Sequence, residues 1–319
     1  MARFGKSLAF VGGGIGDVVM HAGHLEGIAA QSDGGVVVVG CRYAGPVGEI
    51  FAGSTFVSEV ISLEDEASKF RFRTVRERLS PHGFKSIFML KSQAQVSLAA
   101  RLSGIRRYQH RGRYDPRSLL EGPYAPPIHM SKTDALFRRL HIPFDSAACR
   151  LRPTGEAAAF AGQHMGERPF VAIGLNSSAP VRQWGDHFIG LVRRLAERFP
   201  VNFLLYGGPD VRELSQRVVL GAGLPASRLI DIPAEGYRIG VSHALLARCL
   251  LYVGNDSSGL NLAALCGMPT VGLFSETPPF TWSPVFIPVE PDPPGSGIAG
   301  IRPEAVWRAS EQALHALLA

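Results

Sequence analysis

Residues 7–23 read SLAFVGGGIGDVVMHAG, and the fold turns on how this stretch is taken. An apolar run, Leu8 to Val11, gives way to a cluster of glycines, and helical spacing resumes around one acid, Asp17. A strand that passes through glycine directly into a helix is the opening of a parallel βαβ unit, and ligands of parallel sheets bind at the carboxyl ends of the strands. The spacing of a dinucleotide loop, G-x-G-x-x-G, is not met: the third residue after Gly14 is Asp17, and no acid closes the next strand to take a ribose. Two readings of Asp17 stay open on residues alone. It is either an acid presented at the sheet edge for chemistry or a first-turn acid that stabilises the helix dipole. His21 and His24, three apart, either face the same edge or lie on the surface.

Outward from this loop the alternation repeats. GVVVVG precedes a helical pattern at 45–52, and KSIFML precedes one at 92–103. The pattern restarts after Pro153 with PFVAIGL, VNFLLYGG, RLIDI, LLYVG and PTVGLF, separated by helical stretches near 186–199, 237–248 and from Ser257. A chain of 319 residues exceeds what one core usually covers, so two tandem α/β domains are expected. Turn formers in CRLRPTGE put the join near 150–156, giving domains 1–152 and 153–302. The closing PEAVWRASEQALHALLA, residues 303–319, opens on Pro303 and reads as an amphipathic helix expected to pack back toward the first domain.

Composition narrows the class. A hydrophobic share of 46% with 19% charge fits a globular enzyme rather than a disordered or fibrous chain. No apolar run approaches the roughly 20 residues needed to span a bilayer, and glycines with Asp17 break the N-terminal apolar stretch as no signal-peptide core is broken. A soluble, cytoplasmic protein is expected. The cysteines, Cys41, Cys149, Cys249 and Cys266, form no C-x-x-C pair and read as buried thiols. The histidines show no H-x-x-x-H pair, so no metal site is expected. Net charge is +6, unevenly spread: residues 1–150 hold 20 Lys and Arg against 13 Asp and Glu, and the remainder 13 against 14. KFRFRTVRERL (69–79) and RRYQHRGRYDPR (106–117) carry much of the excess, which suits either an anionic partner or a solvated helix face and loop. No recognition-helix motif or zinc finger accompanies it, so a nucleic-acid partner is disfavoured.

Three stretches of the second half follow strands and carry polar side chains. In LNSSAPVRQW, Ser177, Ser178 and Arg182, with Trp184 two residues on, are suitable donors for phosphate oxygens, or else cap a helix. In VGNDSSGLNLAALCGMP, Asp256, Ser257, Ser258 and Gly259 open a helix with small side chains, leaving backbone N–H groups able to face an anion. In YGGPD, Asp210, followed by Glu213, could receive ribose hydroxyls, though Gly-Gly-Pro-Asp is equally a turn.

In this order the pieces resemble the glycosyltransferase family that contains the bacterial ADP-heptose:lipopolysaccharide heptosyltransferases. The family's opening glycine-glycine-aspartate loop matches Gly14, Gly16 and Asp17. Its serine/threonine pair followed by Lys-x-Trp is similar to Ser177, Ser178, Arg182 and Trp184, with arginine in place of lysine. Its Asp-Ser/Thr-Gly-x-x-His-Leu segment is similar to Asp256 through Leu262, with Ser258 in place of glycine and Asn261 in place of histidine. The resemblance implies a GT-B architecture, two Rossmann-like domains with parallel sheets facing across a cleft. The acceptor would lie on the first domain, near Gly14, Gly16 and His21, and the donor on the second, near Ser177, Ser178, Arg182, Asp210, Asp256, Ser257, Ser258, Gly259 and Asn261. It further implies Asp17 as catalytic base, an ADP-linked sugar as substrate with no cofactor and no metal, and an anionic glycan or glycolipid acceptor reached from the cytoplasm or by peripheral contact with the inner membrane. An epimerase or hydrolase of nucleotide sugars, or a degenerate glycan-binding subunit, are the competing readings.

Overall fold

A computed structural model describes residues 3–65, 67, 69–109, 128–177, 179–276, 278–280 and 282–319. Ser178 and the basic stretch from His110 to Arg117 lie outside the described residues. The chain divides into two compact units, Met1–Leu151 and Arg152–Ala319.

The first unit runs β1 (Ser7–Val11), α1 (Ile15–Met20), α2 (Ala22–Ala30), β2 (Val37–Cys41), α3 (Ala44–Phe51), β3 (Val57–Ser62), α4 (Phe72–Leu79), β4 (Ser86–Met89), α5 (Ala94–Leu102), β5 (Arg106–Gln109) and α6 (Ile128–Leu140). Its strands stand in the order β3-β2-β1-β4-β5, each neighbour pair parallel. The three strands read from apolar runs, β1, β2 and β4, are buried along their whole length, as a parallel sheet covered on both faces requires. The basic KFRFRTVRERL forms α4, with Val75 and Leu79 in the core and Arg73, Arg76 and Arg78 exposed, a solvated helix face. Cys41, Cys149 and Cys249 are buried as expected, and burial pushes the Cys41 thiol up to about 12, while Cys266 is partly exposed.

The second unit opens with α7 (Gly155–His164) and β6 (Phe170–Gly174), then α8 (His187–Arg198), β7 (Asn202–Tyr206), α9 (Arg212–Ala222), β8 (Leu229–Asp231), α10 (Ile232–Glu235) and α11 (Ile239–Leu246). It closes with β9 (Leu251–Asn255), α12 (Ser258–Leu265), β10 (Thr270–Leu273), β11 (Phe286–Val289) and α13 (Pro303–Leu318). The strand order is β11-β10-β9-β6-β7-β8, again wholly parallel. This is the Rossmann order, in which the chain builds outward from one central strand and then returns to its other side. The closing helix α13 places Val306, Trp307, Ala313 and Leu314 in the second unit's own core, beside Leu191 and Leu195 of α8. Among the described residues no helix is long and apolar enough to cross a membrane.

Both sheets reverse their direction of growth once. In the first unit the reversal lies between β1 and β4, in the second between β6 and β9. At such a point the connecting helices leave to opposite faces, and the strand ends open a crevice that ligands fill. Close contact at the second reversal depends on glycine: a Cβ on Gly254 of β9 would lie 2.6 Å from the backbone of Gly174 in β6. Gly254→Ala is therefore expected to destabilise the protein by about 1–3 kcal/mol through overpacking. Gly190→Ala, on exposed helical surface with open space around it, should stabilise by about 0.5–1 kcal/mol. Urea unfolding of the two variants checks both signs; equal midpoints would remove the packing argument.

Candidate functional sites at the two strand reversals

Asp17 occupies the third position of α1, immediately beyond the carboxyl end of β1. Its Oδ2 accepts a hydrogen bond from the Gly14 backbone N–H at 2.7 Å, so the carboxylate caps its own helix. The same oxygen lies 3.6 Å from Lys91 Nζ, just past the end of β4 across the reversal. The two sequence readings of Asp17 are thus compatible, since the side chain caps the helix and remains partly exposed beside an ammonium. Room for the pair comes from Gly13: a Cβ there would approach Asp17 Cγ to 2.6 Å and Lys91 Nζ to 2.9 Å. Gly13 and Lys91 were not singled out from sequence. A lone lysine after a strand has no motif, and its partner is supplied by the pairing of β1 with β4 rather than by spacing.

The first sheet's carboxyl edge carries further polar groups. Arg42, after β2, donates from Nε to Glu64 Oε1 at 2.6 Å, and this bond raises the guanidinium pKa. Beyond Lys91, Ser92 Oγ accepts from Gln109 Nε2 at 2.8 Å. The sequence reading put His21 on this loop or at the surface; it is instead fully buried at the joint of α1 and α2. Its place follows from the joint it occupies: His21 ends α1 and begins α2, and its ring meets that of the buried His24 one turn further on.

At the second reversal the loops after β6 and β9 meet. Arg182, on the turn Pro180–Arg182, reaches Asp256 Oδ2 with Nη1 at 3.3 Å. Asn255, the last residue of β9 and fully buried, ties the loops together: its Oδ1 accepts from the Trp184 backbone N–H at 3.1 Å, and its Nδ2 donates to the Leu175 carbonyl at 2.9 Å. Trp184 is buried and donates from Nε1 to the Ile301 carbonyl at 3.0 Å. The arginine loop is thus anchored on both sides of its cation. Asn255 carries no sequence signal of its own, because its partners lie 71 and 80 positions away.

Ser257 stands as N-cap of α12, yet its side chain makes no capping bond to the helix. Its hydroxyl lies 3.5 Å from the buried Tyr252 Oη, and burial pushes that phenol up, so it stays neutral. The cap side chain thus supplies no acceptor to the first N–H groups of α12, the arrangement that receives anions. Gly259 lets this end sit close, since a Cβ there would lie 2.8 Å from the Tyr206 ring. Ser177 turns its hydroxyl back to the Ala179 carbonyl at 2.6 Å, and Asp210 is exposed on the turn Pro209–Val211 after β7.

Asn261 was expected among the donor-binding residues, but it is buried beneath them. Its Nδ2 donates to the Ser257 carbonyl at 3.2 Å and its Oδ1 accepts from Trp282 Nε1 at 3.3 Å. Both ends of the amide are engaged within the protein, so this side chain supports the start of α12.

A family model, "Glycosyltransferase family 9 (heptosyltransferase)", matches residues 123–288. No curated protein sequence matches the chain. Among solved structures, a glycosyl transferase family 9 protein from Veillonella parvula superposes with a TM-score of 0.77 at 16% identity, covering 99% of each chain. The E. coli ADP-heptose LPS heptosyltransferase II gives 0.76 at 17%, covering 98% of this chain and 100% of its own. E. coli heptosyltransferase WaaC, solved with ADP-2-deoxy-2-fluoro heptose, gives 0.70 at 14%, covering 96% and 99%. At these identities the likeness to the solved structures is one of fold.

Asn255→Ala would leave the Trp184 N–H and the Leu175 carbonyl buried without their partner. A loss of about 2–4 kcal/mol is expected. Asn255→Asp keeps an acceptor for the Trp184 N–H but buries a carboxylate and sets oxygen against the Leu175 carbonyl, so it should lose at least as much. Chemical denaturation checks both variants; a loss below about 1 kcal/mol in either would show that the amide's two bonds are not what links the loops.

Proposed function

Because the chain belongs to glycosyltransferase family 9, the heptosyltransferase family, we propose that it moves heptose or a related sugar from a nucleoside-diphosphate donor, ADP-linked, to a hydroxyl of an anionic glycan such as a lipopolysaccharide core. Transfer proceeds with inversion and without a divalent cation. The observation that carries this reading is the gathering of Arg182, Asp256 and the start of α12 at one strand reversal.

In the reaction the acceptor oxygen attacks the anomeric carbon as its proton passes to Asp17, and the bond from that carbon to the diphosphate oxygen breaks. The electron pair of the broken bond leaves with the diphosphate. Arg182 and the N–H groups of α12 stabilise that growing charge, the electrostatic contribution that is commonly the largest in catalysis. Arginine keeps its charge and presents its N–H groups in a planar fork that matches phosphate oxygens. On the acceptor side, Asp17 and Lys91 offer a proton acceptor and a cation 3.6 Å apart, suited to a hydroxyl beside an anionic substituent. The positive balance of the first 150 residues favours such a substrate, drawn from an anionic glycolipid at the cytoplasmic face of the inner membrane.

A degenerate binding subunit was suggested by Ser258 and Asn261. The internal bonds of Asn261 argue against it, since that replacement lies under the site rather than in it.

Calorimetry with ADP, UDP and GDP in EDTA tests the donor side. ADP is expected to bind, and Arg182→Ala to weaken it roughly 10- to 150-fold, a charge-assisted hydrogen bond's worth of about 1.5–3 kcal/mol. Unchanged affinity in that variant would remove Arg182 from the donor site. Asp17→Asn should abolish transfer while ADP affinity stays within about twofold. A variant that turns over normally would exclude Asp17 as base.

A further inference from the structure

We infer that Asp134, His24 and His21 form a buried positioning relay that sets the direction of the helix carrying Asp17, an inference that rests on the transferase reading only through the role given to Asp17.

His24 of α2 is fully buried. Its Nε2 lies 2.7 Å from Asp134 Oδ1 of α6, and its Nδ1 lies 3.3 Å from His21 Nδ1. The ring stacks on Phe144, with centroids 4.6 Å apart and planes at 23°, and meets Phe137 edge-on at 4.8 Å. Its surroundings are tightly built: a Cβ on Gly23 of α2 would lie 2.7 Å from Ser146 Cα. The imidazole thus has one place to be.

The proposed arrangement of hydrogens starts from the acid. An ionised carboxylate only accepts, so His24 Nε2 carries hydrogen and donates to Asp134. With His24 neutral, its Nδ1 holds a lone pair, and the bond between the two rings requires the hydrogen on His21 Nδ1. In this arrangement one acid on α6 orients two rings on another element.

His21 is the joint itself. It ends α1 and begins α2, its N–H donating to the Val18 carbonyl at 3.1 Å and its carbonyl accepting from the Leu25 N–H at 2.9 Å. A helix of six residues such as α1 has little stability of its own, so its direction is set by what holds its ends. Asp17 lies one turn before His21 and shares its side of the helix. The acid at the far end is referenced to the segment that carries Lys91: Thr133 Oγ1, next to Asp134, lies 3.5 Å from the carbonyl oxygen of Leu90, just past the end of β4. Relay and ion pair thereby share one frame, and Asp17 is kept in register with Lys91.

The test uses the full chain labelled with ¹⁵N-histidine, the two signals being assigned with His21→Gln and His24→Gln. At slightly alkaline pH His24 is expected as the Nε2–H tautomer and His21 as the Nδ1–H tautomer; His21 protonated at Nε2 would overturn the relay. In Asp134→Ala the amides of Val18, Val19, Met20 and His21 should exchange about tenfold faster or more, and kcat should fall about tenfold with the donor KM within about twofold. Asp134→Asn, which keeps an acceptor oxygen, should recover most of both. Unchanged exchange and kcat in Asp134→Ala would reduce the relay to ordinary core packing. Should that variant not fold, the wild-type imidazole signals decide alone. A wild type without transfer activity would count against the transferase reading, while the amide exchange would still decide this one.

Discussion

A parallel sheet cannot grow on both sides of its first strand without reversing its winding, and in each unit a pair of opposite charges is assembled where its sheet does so. The strand order turns back between β1 and β4, and again between β6 and β9, and at such a point connecting helices part to opposite faces and leave a crevice at the strand ends. Asp17 and Lys91 come from the two strands of the first reversal, Arg182 and Asp256 from those of the second. Neither pair could be assembled by a local motif. Each exists because strands far apart in sequence are adjacent in the sheet.

The two edges are finished differently. The first presents ionic side chains, with glycine used to make room for a carboxylate and an ammonium beside the backbone. The second offers backbone: a start of α12 without a side-chain cap, packed closely through Gly259, with Arg182 bonded to Asp256 just before it. Fixed side-chain charge suits a group that must exchange a proton. Oriented N–H groups suit a group whose charge grows as a bond breaks.

How much of this could be read from the residues depends on where each element lies. The central strands announced themselves because burial on both faces demands unbroken apolar runs, and the loops after them held the acids and hydroxyls singled out. The edge strands did not. In β3, VSEVIS, Ser58 and Glu59 face solvent, and β5, RRYQ, has no apolar run at all; both are strands because a neighbour offers them a ladder. Buried polar residues were misjudged for a related reason. His24 finds its acid 110 positions away, and Asn261 finds Trp282 from beyond the next strand, so no spacing rule could show that either is satisfied inside. Lys91 and Asn255 went unnoticed because single residues at strand ends gain meaning only from the order of the strands.

The link through Asn255 has a bearing on timing. By joining the end of β6, the arginine loop and the end of β9, it removes the freedom those segments would otherwise lose when a ligand arrives. A pre-ordered receptor surrenders little entropy on association, so affinity there is set by contact rather than by rearrangement. Slow events in the catalytic cycle, by the same reasoning, belong to parts of the molecule that lack such a cross-tie.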